Sequence, residues 1–183
     1  TLSTVGFMEV HPLSEQGRLW TSVMILMGVG NFAYLIGSFT QILVDGSLES
    51  IITKKRIHRM IDSLSGHYII CGYGRIGSVV ADELTREGLS VVVIDNSPEA
   101  AVEMDKDQVL HLMGDATDEK LLVQAGIHRA STLITALSDE AANVYVTLSA
   151  KQIEPNLTIV ARADSQSSIR KLERAGADRV ILP

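Results

Sequence analysis

The sequence predicts an α/β domain with a doubly wound parallel sheet, preceded by one transmembrane α-helix. Three observations indicate this architecture. Residues 19–44 carry no formal charge, a G-x-G-x-x-G run occupies 72–77, and apolar runs alternate with helical patterns through 66–183. We therefore divide the chain into an N-terminal segment, a membrane helix, a connecting helix and a C-terminal domain, at residues 1–18, 19–44, 45–65 and 66–183.

The uncharged run is long enough to cross a bilayer. Its 26 residues would extend about 39 Å as a helix, against a hydrocarbon core of roughly 30 Å. Gly28, Gly30 and Gly37 would weaken a soluble helix, but glycine is common in membrane helices, where it permits close packing. A buried helix of a soluble protein is the alternative, which the length and the absence of charge disfavour.

Basic residues are concentrated after this run. Four of them lie within six positions, whereas one precedes the run: Lys54, Lys55, Arg56 and Arg59 against Arg18. The positive-inside rule then places the C-terminal side in the cytoplasm. Between positions 45 and 65, isoleucine, leucine and methionine recur at roughly helical spacing, which predicts an amphipathic connecting helix.

The charge of the chain is unevenly distributed. Residues 1–65 carry five basic and five acidic side chains, so the net charge of −6 belongs to residues 66–183, with 11 basic and 17 acidic ones. An acidic domain disfavours nucleic acid as a partner, because nucleic-acid binding needs a clustered basic face. The single cysteine, Cys71, excludes an internal disulfide and a cysteine-cluster metal site, and its apolar surroundings favour a buried side chain over a reactive thiol.

The glycine run at 72–77 lies where a phosphate-binding loop is expected. An apolar strand at 67–72 leads into it, a helix at 78–87 follows, and a second strand at 89–95 ends in Asp95. Alone, G-x-G-x-x-G is a weak signal. This order of strand, loop, helix, strand and acid is typical of a Rossmann-like dinucleotide-binding unit.

Each glycine of the run has a physical role. Gly72 permits the tight turn, Gly74 lets the backbone approach a phosphate, and Gly77 lets the helix pack on the sheet. The helix N-terminus offers free N–H groups and a positive dipole end to the phosphates. The apolar residues of this helix expected to face inward are Val79, Val80 and Leu84.

Two charged residues bear on the identity of the ligand. Asp95 can accept hydrogen bonds from ribose hydroxyls and would repel a 2′-phosphate, which disfavours NADP. Arg75 lies inside the glycine run and is either a solvent-exposed loop arginine or a contact to phosphate through its planar guanidinium. The second role would suit ATP or ADP as well as NAD.

Strands and helices continue to alternate after Asp95. The predicted strands lie at 108–113, 131–136, 157–161 and 180–182, and the predicted helices at 118–125, 138–152 and 165–175. Ligands of such sheets bind at the carboxyl ends of the strands. Asp115 and Thr117 follow the third strand, next to the expected adenine site. They either contact the ligand or cap the following helix.

The C-terminal domain resembles the TrkA-N domain, also known as the regulator of potassium conductance (RCK) domain. The resemblance covers about residues 66–183 and rests on 68–77 (YIICGYGRIG), 92–95 (VVID), 114–118 (GDATD) and 174–183 (RAGADRVILP). It implies a domain that binds ATP, ADP, AMP or NAD(H) as a regulatory ligand, is not an enzyme, and forms dimers or gating rings that control potassium flux.

The resemblance also assigns contacts to the ligand. Phosphates would lie against the glycine run, the ribose against Asp95, and the base side against Asp115 and Thr117. The implied cofactor-binding residues are Gly72, Tyr73, Gly74, Arg75, Ile76, Gly77, Asp95, Asn96, Asp115 and Thr117.

The N-terminal segment resembles the selectivity filter of potassium channels, T-x-x-T-V-G-Y-G-D, which lies immediately before the inner helix. Residues 1–7 (TLSTVGF) carry the match, and the implied ion filter is Thr4, Val5, Gly6 and Phe7. A filter aims backbone carbonyls at the ion, and glycines allow conformations that L-residues avoid. The resemblance implies K+ as the transported ion and a tetrameric homo-oligomeric pore in the cell membrane, with the C-terminal domain cytoplasmic.

Several positions depart from these family patterns. Met8 replaces the second filter glycine and Glu9 the following aspartate. Methionine at a position where glycine adopts a left-handed conformation bears directly on potassium selectivity. Ala136 and Arg162 replace metal-binding carboxylates of calcium-gated relatives, although Asp164 keeps an acid. We expect no metal site of that type.

The leading hypothesis is a potassium channel subunit, or a fragment of one, in which a nucleotide gates conduction. A regulatory subunit of a potassium transporter is an alternative, which the span at 19–44 disfavours because such subunits are soluble. An NAD-dependent oxidoreductase is less favoured, because no substrate domain is evident and the histidines are scattered at His11, His58, His67, His111 and His128. Both ends of the sequence look cut, so we expect an excerpt of a longer protein.

Overall fold

The computed structural model describes residues 14–44 and 56–182. These residues belong to two compact units, one within 1–53 and the other within 54–183. The filter-like residues Thr4, Val5, Gly6 and Phe7 lie outside the described residues, as does the first half of the predicted connecting segment. The interpretations of those positions therefore remain predictions.

The N-terminal unit contains one long helix, α1 (Glu15–Val44). It begins four residues before the uncharged run, and the stretch Gln16–Gly37 has a mean hydropathy of 1.6. Polar side chains near its start are satisfied within the helix: the hydroxyl of Thr21 donates to the carbonyl of Gly17 at 2.8 Å. Trp20 and Leu26 are about two-thirds exposed or more, at 69% and 74%. By length and composition, α1 is suited to cross a membrane.

The second unit is built on a six-stranded sheet. The strands are β1 (Tyr68–Cys71), β2 (Val91–Asp95), β3 (Leu110–Met113), β4 (Thr132–Thr135), β5 (Thr158–Arg162) and β6 (Arg179–Ile181). All are parallel, in the order β3-β2-β1-β4-β5-β6. This is the doubly wound Rossmann order, so the predicted fold class is confirmed. Each predicted strand is present, with its ends shifted by at most two residues.

Six α-helices of this unit flank the sheet in the described residues. They are α2 (56–62), α3 (Arg75–Arg86), α4 (Pro98–Lys106), α5 (Glu119–Gln124), α6 (Glu140–Ile153) and α7 (Gln166–Ala175). The sequence patterns did not predict α4. Its start signal is present, because the Ser97 hydroxyl accepts from the Ala100 N–H at 3.2 Å and Pro98 opens the first turn.

Helix α3 differs from its prediction in two respects. It begins at Arg75, inside the glycine run, rather than at Ser78. The prediction that Val79 faces inward is wrong, since its side chain is 66% exposed. The buried face instead runs through the small residues Gly77 and Ala81, one helical turn apart, which let α3 lie close to the sheet.

The sheet is buried on both faces. Along β1, Ile69 and Cys71 face one apolar cluster with α2, α5 and α6, whereas Ile70 faces another with α3 and α4. Burying a large apolar side chain contributes about 1.5–3 kcal/mol, so these clusters supply the main driving force for the sheet. Cys71 is fully buried, as predicted, and its burial raises the pKa of the thiol to about 12.

The C-terminal end of helix α2 packs against the rest of the α/β unit. Ile61 is fully buried in the core, and Ile57 and Leu64 pack against it. The guanidinium of Arg129 donates from Nε to the carbonyl of Leu64 at 3.2 Å and from Nη2 to that of Ile61 at 3.3 Å. These bonds satisfy carbonyls that the end of a helix leaves free.

His67 is buried at the amino end of β1. Its Nε2 lies 2.7 Å from the carbonyl oxygen of Ala125, and its Nδ1 is buried without a partner among the described residues. Burial is the main cause that lowers the pKa of His67 below 6.5, and the positive charge of Arg129 acts in the same direction. The hydrogen bond to Ala125 opposes them. The folded domain therefore holds this imidazole neutral.

We predict that the free energy of unfolding falls as the pH drops below about 6.5, the value for an unperturbed histidine. In that range unfolded His67 binds a proton that the folded domain excludes, so stability is full above it and is lost toward acid. His67→Gln should reduce the pH dependence in chemical denaturation of the detergent-solubilised chain at pH 7.5 and 5.5. An unchanged slope would contradict the assignment, and His128→Gln, at an exposed position, is the control.

Candidate nucleotide-binding site

A cleft opens where the strand order reverses, between the carboxyl ends of β1 and β4. Its volume is about 770 Å³, within the range of roughly 300–1,000 Å³ of small-molecule sites. The residues that line it are Gly72, Gly74, Arg75, Ile76, Asp95, Asn96, Ser97, Ala136, Leu137, Ser138 and Arg162. Six of the ten predicted cofactor-binding residues are among them.

The three glycines of the run have distinct environments. Gly72 has φ of +101°, and a Cβ there would lie 2.9 Å from the carbonyl oxygen of Ala136. A Cβ on Gly77 would overlap the carbonyl oxygen of Gly72. Gly74 instead borders open space, since beyond its chain neighbours no atom of the described residues lies within 4 Å of a Cβ at this position. Gly72 thus permits the turn and Gly77 the close approach of the helix, whereas Gly74 leaves the mouth of the cleft open.

Tyr73 contributes its backbone to the site, whereas its side chain belongs to the core. The ring packs with Ile70 and Met104 and is only 6% exposed. Its hydroxyl donates to Asp107 at 3.0 Å, and burial, together with this bond, raises the pKa of Tyr73 to about 12. The structure therefore places the Tyr73 side chain away from the predicted ligand.

Asp95 is held in place by the loops on either side. Its Oδ2 accepts from the N–H of Tyr73 at 2.6 Å, and its Oδ1 accepts from the N–H of Ser97 at 2.7 Å. Each carboxylate oxygen can accept a second hydrogen bond, so the group remains able to bind hydroxyls. Asn96 is exposed beside it and lines the same cleft.

Arg75 and Ile76 lie in the first turn of α3, at the positive end of the helix dipole. Arg75 is exposed, and its side chain makes neither a hydrogen bond nor an ion pair with another described residue. Arg75 lines the cleft beside the free N–H groups of the first turn of α3, and helix N-termini of this kind are common binding sites for anions. Of the two roles open for Arg75, this placement favours a contact to phosphate.

Asp115 and Thr117 lie outside the cleft lining. Asp115 accepts from the N–H of Thr117 at 2.9 Å, which lowers the pKa of its carboxyl. The cap of α5 is Asp118, whose Oδ1 accepts from the Lys120 N–H at 2.9 Å. Neither predicted residue is therefore the N-cap, and their contact with a base remains a prediction.

The sequence patterns missed the β4 side of the cleft. Ser138 and Leu137 line it, and the buried amide of Asn143 holds this loop by donating to the carbonyl of Leu137 and accepting from its N–H, at 2.9 and 3.0 Å. Arg162 was noted only as a departure from a metal site, yet it lines the cleft from β5. The strand order would have indicated the 137–138 loop and Arg162, because the loops after β1 and β4 meet at the switch point and β5 lies next to β4.

The lining of this cleft, within the described residues, contains neither a histidine nor a cluster of metal-binding side chains. None of the lining residues is a histidine, and no group of three or more His, Cys, Asp or Glu side chains in residues 14–44 and 56–182 is arranged to hold a metal ion. Arg162 instead pairs with Asp164 at 2.6 Å. The cleft presents glycine backbone, one carboxylate and two guanidinium groups, which suits an anionic ligand that carries hydroxyls.

A parallel sheet of this order, with a glycine loop and an acidic strand end at its switch point, defines a Rossmann-like mononucleotide- or dinucleotide-binding domain. Residues 68–183 match the TrkA-N domain family, and the chain belongs to that family. Residues 1–45 match a second family, described as ion channel. The sequence resemblance to TrkA-N domains is thereby confirmed.

Known proteins similar to the chain include channels and nucleotide-binding domains. Potassium channel protein 1 of Methanocaldococcus jannaschii is 39% identical over the whole chain, which spans 56% of that relative's length. The TrkA-N domain of the Escherichia coli inner membrane protein ybaL is 26% identical, with a TM-score of 0.63 over 66% of this chain and 89% of that one. The C-terminal domain of Shewanella denitrificans Kef, in its AMP-bound form, is 29% identical, with a TM-score of 0.58 over 64% of this chain and 70% of that one.

We predict that two glycines of the run differ sharply in their effect on stability. Gly77→Ala should lower the free energy of unfolding by about 3 kcal/mol or more, because its methyl overlaps the Gly72 carbonyl. Gly74→Ser, the matched control, should change it by less than about 1 kcal/mol, because the side chain enters open space at a helix N-cap. Urea denaturation measures both; equal losses would show that α3 does not depend on this close approach.

Proposed function

We propose that the chain is part of a potassium channel subunit whose C-terminal domain binds an adenine nucleotide or NAD(H) and thereby gates conduction. The observation that carries the proposal is a glycine-loop cleft lined by the Asp95 carboxylate, in the same chain as a helix suited to span a membrane. The match of residues 1–45 to an ion-channel family and the 39% identity to a potassium channel protein support it.

The chemistry of the cleft supports this class of ligand. The Asp95 carboxylate lines the cleft and can accept further hydrogen bonds, as ribose hydroxyls require, and the first turn of α3 with Arg75 offers the donors that phosphate requires. The related Kef domain binds AMP, which contains both groups. Asp95 would repel a 2′-phosphate, so the proposal covers AMP, ADP, ATP and NAD(H) but not NADP(H).

The ligand acts in this proposal as a regulator rather than a substrate. His67 and His111 are buried away from the cleft, and His128 lies beside Glu154 on the surface, 3.3 Å from its carboxylate. None of them is positioned for proton transfer to a ligand over the glycine loop. Turnover of NADH with carbonyl substrates would contradict this part of the proposal.

Gating requires that the ligand bind two arrangements of the assembled channel with different affinity. We propose a homo-oligomer with a tetrameric pore in the lipid bilayer and its C-terminal domains, paired or arranged as a gating ring, in the cytoplasm. The basic residues Arg56 and Arg59, on the C-terminal side of α1, support this orientation. The attachment of α2 to the α/β domain through Arg129 gives the domain a firm hold on the chain that leads to it.

We predict that at least one of AMP, ADP, ATP, NAD and NADH raises the melting temperature of the detergent-solubilised chain. A ligand at 100 times its Kd should stabilise the folded state by about 2.7 kcal/mol. Asp95→Ala should weaken that ligand about tenfold or more, because ribose hydroxyls lose a charged acceptor. Asp82→Ala, an exposed carboxylate on α3, is the control. No shift with any of the five ligands would overturn nucleotide sensing.

A second prediction concerns the filter-like segment. In the channel that contains this chain, Met8→Gly should raise the permeability of K+ relative to Na+, because glycine restores a backbone conformation that methionine disfavours. Reversal potentials in mixed K+ and Na+ solutions measure this ratio. Met24→Leu, within α1, is the control. An unchanged ratio would show that position 8 does not shape the filter.

A further inference from the structure

Four residues form one row across the cleft. The register of β2, β1, β4 and β5 aligns their carboxyl ends, and the positions in that row are Asp95, Gly72, Ala136 and Arg162, in strand order. All four line the same cavity. Neighbouring strands lie about 4.8 Å apart, so the backbone at Arg162 is roughly 10 Å from that at Gly72. The row thus leads from a carboxylate, past two residues with minimal side chains, to a guanidinium.

The guanidinium of Arg162 is held in position but is poorly matched by its partners. Its Nη2 donates to Asp164 at 2.6 Å, and its side chain is only 22% exposed. Its Nε is buried without an acceptor among the described residues. An arginine carries five N–H donors, and one carboxylate oxygen leaves most of that fork without a charged partner.

The distribution of charge in the cleft also favours an anionic ligand near Arg162. The ionisable residues that line it are Asp95, at the ribose end, and Arg75 and Arg162. Residues 66–183 as a whole carry a net charge of −6. Apart from Asp95, the charged residues that line the cleft are thus two arginines, and the nearby Asp164 carboxylate engages one N–H group of Arg162, so this part of an acidic domain offers donors to an anion.

We propose that Arg162 binds the terminal phosphate of a nucleoside diphosphate or triphosphate and makes the cleft prefer these ligands to a nucleoside monophosphate. This inference rests on the proposed function, because it takes the nucleotide cleft as the site. With the ribose at Asp95 and the first phosphate over Gly72, the next phosphate is directed past the methyl group of Ala136 toward Arg162. A planar guanidinium binds phosphate oxygens in pairs, which a monophosphate held at Gly72 does not reach.

The test compares ADP with AMP by isothermal titration calorimetry on the detergent-solubilised chain. The wild type should bind ADP at least about tenfold more tightly than AMP, the effect expected of one charge-assisted hydrogen-bonding group. Arg162→Gln should abolish most of this preference by weakening ADP while leaving the Kd of AMP within about twofold. Arg170→Gln, an exposed arginine of α7 outside the cleft, is the matched control and should retain the preference.

The outcomes distinguish the role of Arg162 from the proposed function, nucleotide binding by the domain. If the wild type binds neither nucleotide, the proposed function fails. If it binds AMP and ADP but Arg162→Gln leaves their ratio unchanged, or weakens both equally, nucleotide sensing stands and the role of Arg162 is overturned. Melting temperatures of the unliganded variants report folding. Should Arg162→Gln not fold, Arg162→Met, which keeps the apolar stem, decides by the same ratio.

Discussion

The site depends on the close approach of α3 to the end of β1. Gly77 lies so near the Gly72 carbonyl that no side chain fits between them. This contact brings the first turn of α3, with its free N–H groups, to the carboxyl edge of the sheet. It also leaves Gly72 in a left-handed turn that sends the chain back over the strand. The cleft, the position of Arg75 and the loop that holds Asp95 all follow from these two residues.

Local sequence predicted the parts of the domain whose causes are local. The strands are apolar runs and the loop is a glycine pattern with an acid after the next strand, so Gly72, Gly77 and Asp95 could be placed without coordinates. Helix limits were less accurate, because Arg75 begins α3 within the run that the pattern treats as loop. Val79 was misplaced for a different reason, because the fully buried positions of α3 are a glycine and an alanine, which a search for large apolar residues overlooks.

Residues brought together by strand order were harder to find. Arg162 and the Ala136 loop are far from the glycine run in sequence and meet it only through the register of three strands. Asn143 shapes that loop from within α6, where a polar residue gives no sequence signal of its purpose. Asp115 shows the converse: the family resemblance predicts a ligand contact there, whereas in the structure it makes a local turn with Thr117 and is not among the residues that line the cleft. The order and register of the strands are needed to show which of these residues line the cleft and which do not.

The cleft and helix α2 lie at opposite ends of the same strands. A ligand would touch the carboxyl ends of β1 and β4, whereas Arg129 and Gly66 join α2 to their amino ends. A strand of four residues spans about 13 Å, and both strands are buried and hydrogen-bonded in the middle of the sheet. A displacement of the strands at the cleft would therefore move their amino ends, and α2 with them, as one rigid body, without an intervening flexible segment. Under the proposed function, the response to a ligand would then depend on the rigidity of the core, and looser packing around Leu133 would weaken the response while leaving ligand affinity intact.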